Sequence, residues 1–380
     1  MSSLPTIAIV HASVGSGYRI AAESVAAELG ALSPDAKIEL LDVLSLGSIR
    51  VSSERASTVF TGPTAPLYNA VWGSAPVGRA MTMLAGPLLN LAYRRYTAWL
   101  RDLNPSVIIA THGLAANLST SATRKGALAR VPVVAVATDF GLHGFWPRRG
   151  LDLFCVADES EREELLRRGT PDSDIRVTGI PVRRQFAQDI DPVAARERLD
   201  FAADRRVVLA LAGTTEPGPY ARFKSSLAVS LPAIASVPGT TVAVVTGRDD
   251  AFADELRSRV AGFGVTNVRV LGYVERMAEV MSASDVAVCK PGGLVTAECA
   301  AVGLPMVLVG PAIGRERANT KSLVAAGAAV YDGDPLRLAE VVRKTMGRAG
   351  KLSQMHTAAS VISRPQAARH VAERIMSLLG

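Results

Sequence analysis

Cysteine is scarce in this chain: 380 residues hold Cys155, Cys289 and Cys299, with no CxxC pair and no Cys/His cluster. That argues against a structural zinc site or a disulfide scaffold, and the three read as small buried apolar residues of a reducing compartment. Uninterrupted apolar runs of the ~18–20 residues that a membrane span needs are also missing. The N-terminus has no basic region followed by an apolar stretch; residues 6–10 read as a buried strand, not a secretory signal. A chain of this kind is expected to be soluble or peripheral. With 48% hydrophobic and 20% charged residues it has no composition for long disordered tails.

The most telling absence is local. No acidic residue lies between Glu54 and Asp102, although the chain has 35 acids, while Arg55, Arg79, Arg94, Arg95 and Arg101 fall in or on the edge of that stretch. Phe60, Tyr68, Trp72, Tyr93, Tyr96 and Trp99 are interleaved with them. Arginine, aromatics and apolar residues in one acid-free run fit a surface lying in an anionic membrane interface. The plainer alternative is an amphipathic core helix with a solvated basic face. The net charge of +7 points to an anionic partner. Nucleic acid is not that partner, because no recognition helix, RNP-type aromatic pair or lysine cluster accompanies the charge.

Length predicts two domains. Short, β-branched, nearly all-apolar runs recur at residues 6–10, 37–41, 107–110, 133–137 and 153–156, then at 207–212, 241–245, 268–270, 286–289 and 306–309. Each stops at a Gly, Pro, Thr or Asp turn and alternates with helical patterns, the signature of parallel strands buried on both faces. Residues 179–204, with Pro181, Arg183, Arg184, Asp189, Asp191 and Pro192, read as a linker between two Rossmann-like α/β halves. Two such halves facing one another would take a ligand in the cleft at the carboxyl ends of their strands.

The first strand runs into His11-Ala12-Ser13-Val14-Gly15-Ser16-Gly17-Tyr18, a strand–glycine–helix junction where backbone N–H groups can meet an anion. The third glycine of a dinucleotide fingerprint is missing and Asp42 is loosely spaced, so NAD is disfavoured. A stronger signal is Cys289-Lys290-Pro291-Gly292-Gly293-Leu294-Val295-Thr296-Ala297-Glu298, a buried strand that breaks at Pro-Gly-Gly and opens a helix. The first turn of that helix offers N–H donors to phosphate, Thr296 adds a hydroxyl, and Glu298 is placed for ribose hydroxyls. A plain capped helix is the bland alternative. Glu316 and Asn319, three apart, share one helical face further on.

Taken together, these motifs resemble the diacylglycerol glycosyltransferases: the monogalactosyldiacylglycerol synthases and processive diacylglycerol glucosyltransferases, with the peptidoglycan N-acetylglucosaminyltransferase as a more distant relative. The similarity spans nearly the whole chain. Besides the KPGGLVTAE run it includes Thr111-His112-Gly113, Thr138-Asp139-Phe140 with His143 and Trp146, Gly179-Ile180-Pro181-Val182-Arg183, Thr246-Gly247-Arg248 and Gly272-Tyr273-Val274. The resemblance implies the GT-B arrangement of two facing Rossmann-like domains. These are expected at 1–185 for acceptor and membrane and 200–355 for the UDP-sugar, with a C-terminal helix over 356–380 packing back on the first. It also implies an inverting transfer of a hexose from a UDP-sugar to diacylglycerol or a glycolipid, without a metal or other cofactor. The setting it implies is the cytoplasmic face of the cell membrane.

By the same resemblance Tyr273 and Val274 would meet uracil, Glu298 the ribose, and Gly292, Gly293, Leu294 and Thr296 the diphosphate. Arg183 would meet phosphate, and Glu316 and Asn319 the sugar. Gly17, Gly213, Gly247 and Arg248 complete the donor set. Tyr68, Trp72, Arg94, Arg95 and Trp99 would form the acceptor and membrane side, where Pro66-Leu67-Tyr68-Asn69 resembles a family signature.

Three departures stand out. Tyr18 takes the place of a histidine that family members carry in the glycine-rich loop, and a phenol with its pKa near ~10 is a poor base. The stretch from Gly213 to Pro219 breaks the usual glycine run with Glu216, Pro217 and Pro219, and Arg315 replaces a glutamine in the sugar loop. The base candidates are then Asp139 first, His112 second and His143 third, with His11 structural. The competing readings are transfer to a soluble or polyprenyl-linked acceptor, and a nucleotide-sugar-binding paralogue without turnover.

Overall fold

The computed structural model describes residues 4–47, 86–124, 128, 131–147, 149–213, 219–348 and 350–379. The chain divides into two compact units, Met1–Arg184 with Arg364–Gly380, and Gln185–Ser363. The first unit runs β1 (Thr6–His11), α1 (Ser16–Leu32), β2 (Lys37–Asp42), α2 (Arg94–Leu103), β3 (Val107–Ala110), α3 (Gly113–Ala122), β4 (Val133–Val136), β5 (Leu153–Val156), α4 (Glu159–Arg167) and β6 (Ile175–Val177). Among the described residues its strands form one parallel sheet in the order β2-β1-β3-β4-β5-β6.

Side chains alternate across a strand, and here both faces are covered. Ile7 and Ile9 join Ile109, Val134 and Val136 on one face with Val25 and Leu29 of α1 and Val371 and Ile375 of the C-terminal helix Ala367–Leu379. Ala8, Val10, Ile108 and Ala135 cluster on the other with Tyr96 and Leu100 of α2 and Ala115 and Ala116 of α3. That double burial is why these strands read as continuous apolar runs.

The second unit runs α5 (Pro192–Arg198), β7 (Arg206–Leu211), α6 (Pro219–Ala235), β8 (Thr240–Val245), α7 (Asp250–Phe263), β9 (Val268–Val270), α8 (Met277–Ser282), β10 (Val286–Cys289), α9 (Gly293–Ala301), β11 (Met306–Val309), α10 (Glu316–Ala325), β12 (Ala329–Asp332), α11 (Leu338–Gly347) and α12 (Lys351–Ile362). Its sheet is also all parallel, in the order β12-β11-β10-β7-β8-β9. Val208, Val242, Val244, Val288 and Val307 cluster with Phe223, Leu227 and Leu231 of α6 and Val342 of α11.

The strand order decides where a ligand belongs. In the first sheet the chain winds outward from β1 to β2 and then resumes on the other side at β3, so the order reverses between β1 and β3. In the second it winds from β7 to β9 and resumes at β10, reversing between β7 and β10. Open α/β sheets bind ligands outside the carboxyl ends of the strands at such reversals. The loops there are 11–17 and 111–113 in the first unit, 212–213 and 290–293 in the second.

Several expectations are corrected. The stretch 179–204 is not a simple linker: Asp191 caps α5 through the Val193 N–H at 2.9 Å, with Pro192 in the first turn. Arg196 of that helix pairs with Asp285 at 2.6 Å, and the Gln185 side chain bonds to Glu275 and Ala278 at 3.0 and 2.9 Å, so the segment is built into the second unit. The unit boundary falls at Arg184/Gln185. The tail expected at 356–380 is divided, with α12 in the second unit and Ala367–Leu379 in the first, against α1. Residues 329 and 330 start β12, a strand not expected from the sequence. That strand and the unforeseen β6 are short, partly exposed edge strands, which weakens the apolar signal.

Candidate active site

In the second unit β10 ends at Cys289 and the chain turns through Pro291 and Gly292 into α9, which has no side-chain cap. The Gly292 N–H is taken by the Lys290 carbonyl at 2.9 Å and the Thr296 N–H by Gly292 at 3.1 Å. The first-turn donors are therefore Gly293, Leu294 and Val295. The Thr296 hydroxyl, expected at a diphosphate, instead donates to the Gly292 and Gly293 carbonyls at 2.7 and 3.0 Å, and the residue is fully buried. Asn319 is likewise fully buried and donates its side-chain amide to the Pro291 carbonyl at 3.0 Å. It shapes the loop from behind. Glu298 is buried in the second turn of α9, and Glu316 opens α10, where its carboxylate accepts the Ile313 N–H at 3.4 Å.

Beside this loop the end of β7 approaches the end of β8. A Cβ on Gly247 would lie 3.1 Å from Gly213 Cα, and Gly247 has φ +64. The Gly247 N–H in turn donates to the Gly272 carbonyl at 3.1 Å. Three loops thus meet backbone to backbone, which only glycines at the contact allow. The Arg248 guanidinium lies over the exposed Tyr273 ring at 4.7 Å, with Val274 half-buried after it. Glu216 and Pro217 lie outside the described residues.

In the first unit Asp42 accepts the N–H groups of Ser13 and Leu44 at 3.2 and 3.0 Å, fixing the loop after β1. Gly17 follows in the first turn of α1, whose N-terminal flank Gly15 has φ +103. His11 is buried; its imidazole pKa is lowered, mainly by that burial and against the pull of Asp42. Tyr18 is buried too. Its ring meets His112 edge-on at 4.5 Å and its carbonyl accepts the Thr111 hydroxyl at 3.0 Å. The residue at the family's histidine position is thus a ring packed against His112.

His112 caps α3, its Nδ1 accepting the Leu114 N–H at 3.1 Å, and His143 Nδ1 accepts the Phe145 N–H at 3.2 Å. A backbone N–H only donates, so each Nδ1 carries the lone pair and each neutral ring carries its proton on Nε2. A neutral ring of this tautomer donates from Nε2. The two are neighbours: a Cβ on Gly113 would lie 3.2 Å from His143 Cε1 and 3.1 Å from the Phe145 carbonyl. Asn117 ties the same loops by donating to the Gly113 and Phe145 carbonyls. Asp139, after β4, is buried and is the one base candidate that is purely an acceptor when ionised. Arg183 is half-buried where the first unit ends.

Sequence reasoning missed Glu161. It is 2% exposed, and its two carboxylate oxygens accept the N–H groups of Gly141 at 2.7 Å and Ala157 at 2.6 Å. Burial pushes its carboxyl up to about 8, with Asp158 and Asp139 adding to the rise against those two N–H bonds. Asp158-Glu159-Ser160-Glu161 has the spacing of a capping box, and Asp158 does cap α4 through the Glu161 N–H. The bond across to Gly141 has no such local signal.

On the expected membrane side, Tyr68 and Trp72 lie outside the described residues. Arg94 and Arg95 are exposed, but Trp99 stacks on Tyr96 at 6.1 Å and packs on the core. Leu88 and Leu91 are instead the exposed apolar residues there, at 70% and 66%. No helix among the described residues is long and apolar enough to cross a membrane.

Comparison with known proteins extends this. Residues 21–182 match the model of monogalactosyldiacylglycerol (MGDG) synthase, and residues 226–374 match the glycosyltransferase family 28 C-terminal domain. A processive diacylglycerol beta-glucosyltransferase from Bacillus cytotoxicus is 29% identical over 287 residues, 76% of this chain and 71% of that protein. The two halves are thus similar to MGDG synthase and to glycosyltransferase family 28. The fold of the chain is also that of Acinetobacter baumannii MurG, at a TM-score of 0.63 and 17% identity over 98% of this chain and 99% of that one. Anabaena Alr3699/HepE in complex with UDP superposes at 0.54 with 16% identity over 98% of this chain and 100% of that one. At such identities the likeness shows the fold, two parallel α/β sheets of GT-B type. The synthase match covers His112, Asp139, Glu161 and His143 together with β3, and the C-terminal match covers β10 and the α9 loop, so each family segment holds one strand of a strand-order reversal.

Proposed function

We propose that this protein is an inverting hexosyltransferase that moves a hexose from a UDP-sugar to diacylglycerol at an anionic membrane surface. The observation that carries the donor half is the uncapped N-terminus of α9 at the β7/β10 reversal, shaped from behind by Asn319. A departing diphosphate gains negative charge, and the N–H groups of Gly293, Leu294 and Val295 are pre-aimed donors for it. The Gly213–Gly247 contact and the Arg248–Tyr273 pair border the place where the nucleoside would lie, with Val274 at the base, Glu298 at the ribose and Glu316 at the sugar.

Asp139 serves as the base that takes the proton of the acceptor hydroxyl as it attacks the anomeric carbon. The Nε2–H groups of His112 and His143 orient that hydroxyl or the ring oxygens as donors. This division follows from the hydrogen bonds at Nδ1: protonating either Nδ1 would break its bond to a backbone N–H. Tyr18 braces His112 and takes no proton.

The membrane side is the surface of residues 86–95. Leu88, Leu91 and Arg95 recur at helical spacing, with Arg94 beside them, so apolar side chains enter the headgroup region while the arginines meet anionic lipid. The test is incubation of the protein with UDP-glucose or UDP-galactose and diacylglycerol in anionic vesicles, with lipids read by mass spectrometry. A lipid heavier by one or more hexoses supports the proposal. UDP binding with no such lipid would refute it in favour of another acceptor or a paralogue without turnover.

A further inference from the structure

The Asp139 loop is held by something outside itself. After β4 the chain passes Thr138, Asp139 and Phe140 to Gly141, which sits at φ +116, a conformation that would strain any residue with a Cβ. A loop turning through such a point needs an external tie to hold one geometry. The tie is Glu161, in the first turn of α4, whose carboxylate bridges the Gly141 N–H and the Ala157 N–H at the end of β5. Asp158 fixes the backbone of Glu161 by capping the helix at 3.1 Å. The link from the end of β5 through the buried Glu161 to the loop after β4 is thus continuous.

We infer that Glu161 is a positioning residue for the transfer: by clamping Gly141 to the end of β5 it holds the Asp139 carboxylate in the place from which it takes the acceptor proton. This rests on the assignment of Asp139 as base.

A carboxylate is the side chain of this size that can accept two N–H groups from two separate segments, one on each oxygen. A glutamine keeps one acceptor and presents an NH2 to the second N–H, so one of the two ties is lost. An alanine loses both and leaves two buried donors unsatisfied. Glu161 also shares its surroundings with two other carboxylates, Asp139 on the loop and Asp158 on its own helix, and those are the charged groups that act on it. Burial and those carboxylates raise the Glu161 carboxyl to about 8, and in the protonated form its hydroxyl oxygen keeps a lone pair for the second N–H, which the amide nitrogen of a glutamine lacks. Above that value two buried negative charges face one another, and the loop is pushed off its geometry.

The experiment is steady-state transfer to diacylglycerol in vesicles across pH 6–9 for the wild type, Asp139→Asn, Glu161→Gln and Glu161→Ala, with thermal unfolding of each. Glu161→Ala is expected to lower kcat at least about tenfold while KM for the UDP-sugar stays within about twofold, with Glu161→Gln between it and the wild type. The wild-type kcat should fall above pH 8, and Glu161→Gln should lack that fall because its side chain does not ionise. A merely structural role would lower the melting temperature without moving the pH profile. If Glu161→Ala does not fold, the pH profile of Glu161→Gln decides alone. An inactive Asp139→Asn beside Glu161→Gln with wild-type kcat and profile would overturn the inference and leave the base assignment standing. Near-normal turnover in Asp139→Asn would overturn the base assignment itself.

Discussion

Asn319 gives the sharpest test of the donor half. Its amide is completely buried and donates to the Pro291 carbonyl at 3.0 Å, one residue before the N-terminal flank of α9. Asn319→Ala removes the donor and leaves a carbonyl that water does not reach. A buried acceptor stripped of its partner costs about 1–3 kcal/mol. If that cost falls on the conformation in which Gly293, Leu294 and Val295 point their N–H groups outward, the population of that conformation drops about 5- to 150-fold. The apparent KM for the UDP-sugar rises by the same factor, and the affinity for UDP alone falls with it, because UDP carries the diphosphate. Asn319→Asp should be at least as damaging, since an ionised carboxylate has no proton to donate and repels the Pro291 carbonyl. The measurements are KM for UDP-glucose or UDP-galactose and calorimetric binding of UDP, each set beside the melting temperature. A residue that held only the sugar would raise KM and leave UDP affinity untouched. That result would refute the reasoning, as would unchanged KM in both variants.

Gly179→Ala should destabilise the first unit by about 2–5 kcal/mol, because φ is +89 and the new Cβ would lie 2.4 Å from Arg364 Cβ; chemical denaturation read in that unit checks it. Glu161 makes stability pH-dependent. A carboxyl raised from 4.5 to about 8 in the folded state favours folding fully below 4.5 and loses that contribution as pH rises through 8. The loss is on the order of 4 kcal/mol, and urea melts between pH 5 and 8.5 should show a steeper decline for the wild type than for Glu161→Gln. Leu88→Ser with Leu91→Ser should weaken binding to anionic vesicles by at least roughly 100-fold, from about 1.5–3 kcal/mol of apolar transfer per leucine, as read by sedimentation. Arg94→Gln with Arg95→Gln should mainly flatten the salt dependence of the same binding.

The sheets were legible in the sequence wherever strands are buried on both faces. Residues 107–110, 153–156, 286–289 and 306–309 match observed strands in both ends, because nothing in their surroundings competes with the apolar run, and the short edge strand at 268–270 matches as well. The two omissions, β6 and β12, are edge strands with half-exposed side chains, and at an edge the period-two signal fades. The stretch before β7 was misread for a different reason. Asp191-Pro192 is a helix-start signal, but Pro and charge together also describe a linker, and only the tertiary pairing of Arg196 with Asp285 separates the two.

The site divides along the same line between local and long-range information. Strand–glycine–helix junctions are local, so the α9 loop and the 111–113 turn could be read directly, as could the position of Asp139 after β4. What local pattern could not convey is which atoms the backbone has already used. Thr296 and Asn319 have the right chemistry and spacing for a ligand, yet the Thr296 hydroxyl donates to Gly292 and Gly293 and an Asn319 amide N–H donates to Pro291. His112 and His143 look like bases until a single N–H at each Nδ1 turns them into donors. Tyr18, read as standing where relatives carry a histidine, packs its ring edge-on against His112. For Thr296, Asn319 and the two histidines the decisive partner is a main-chain group, present at every position of the sequence and therefore invisible in it. The same reasoning explains why Glu161 was overlooked: its role depends on the Gly141 N–H, twenty residues upstream, and only the fold brings the two together.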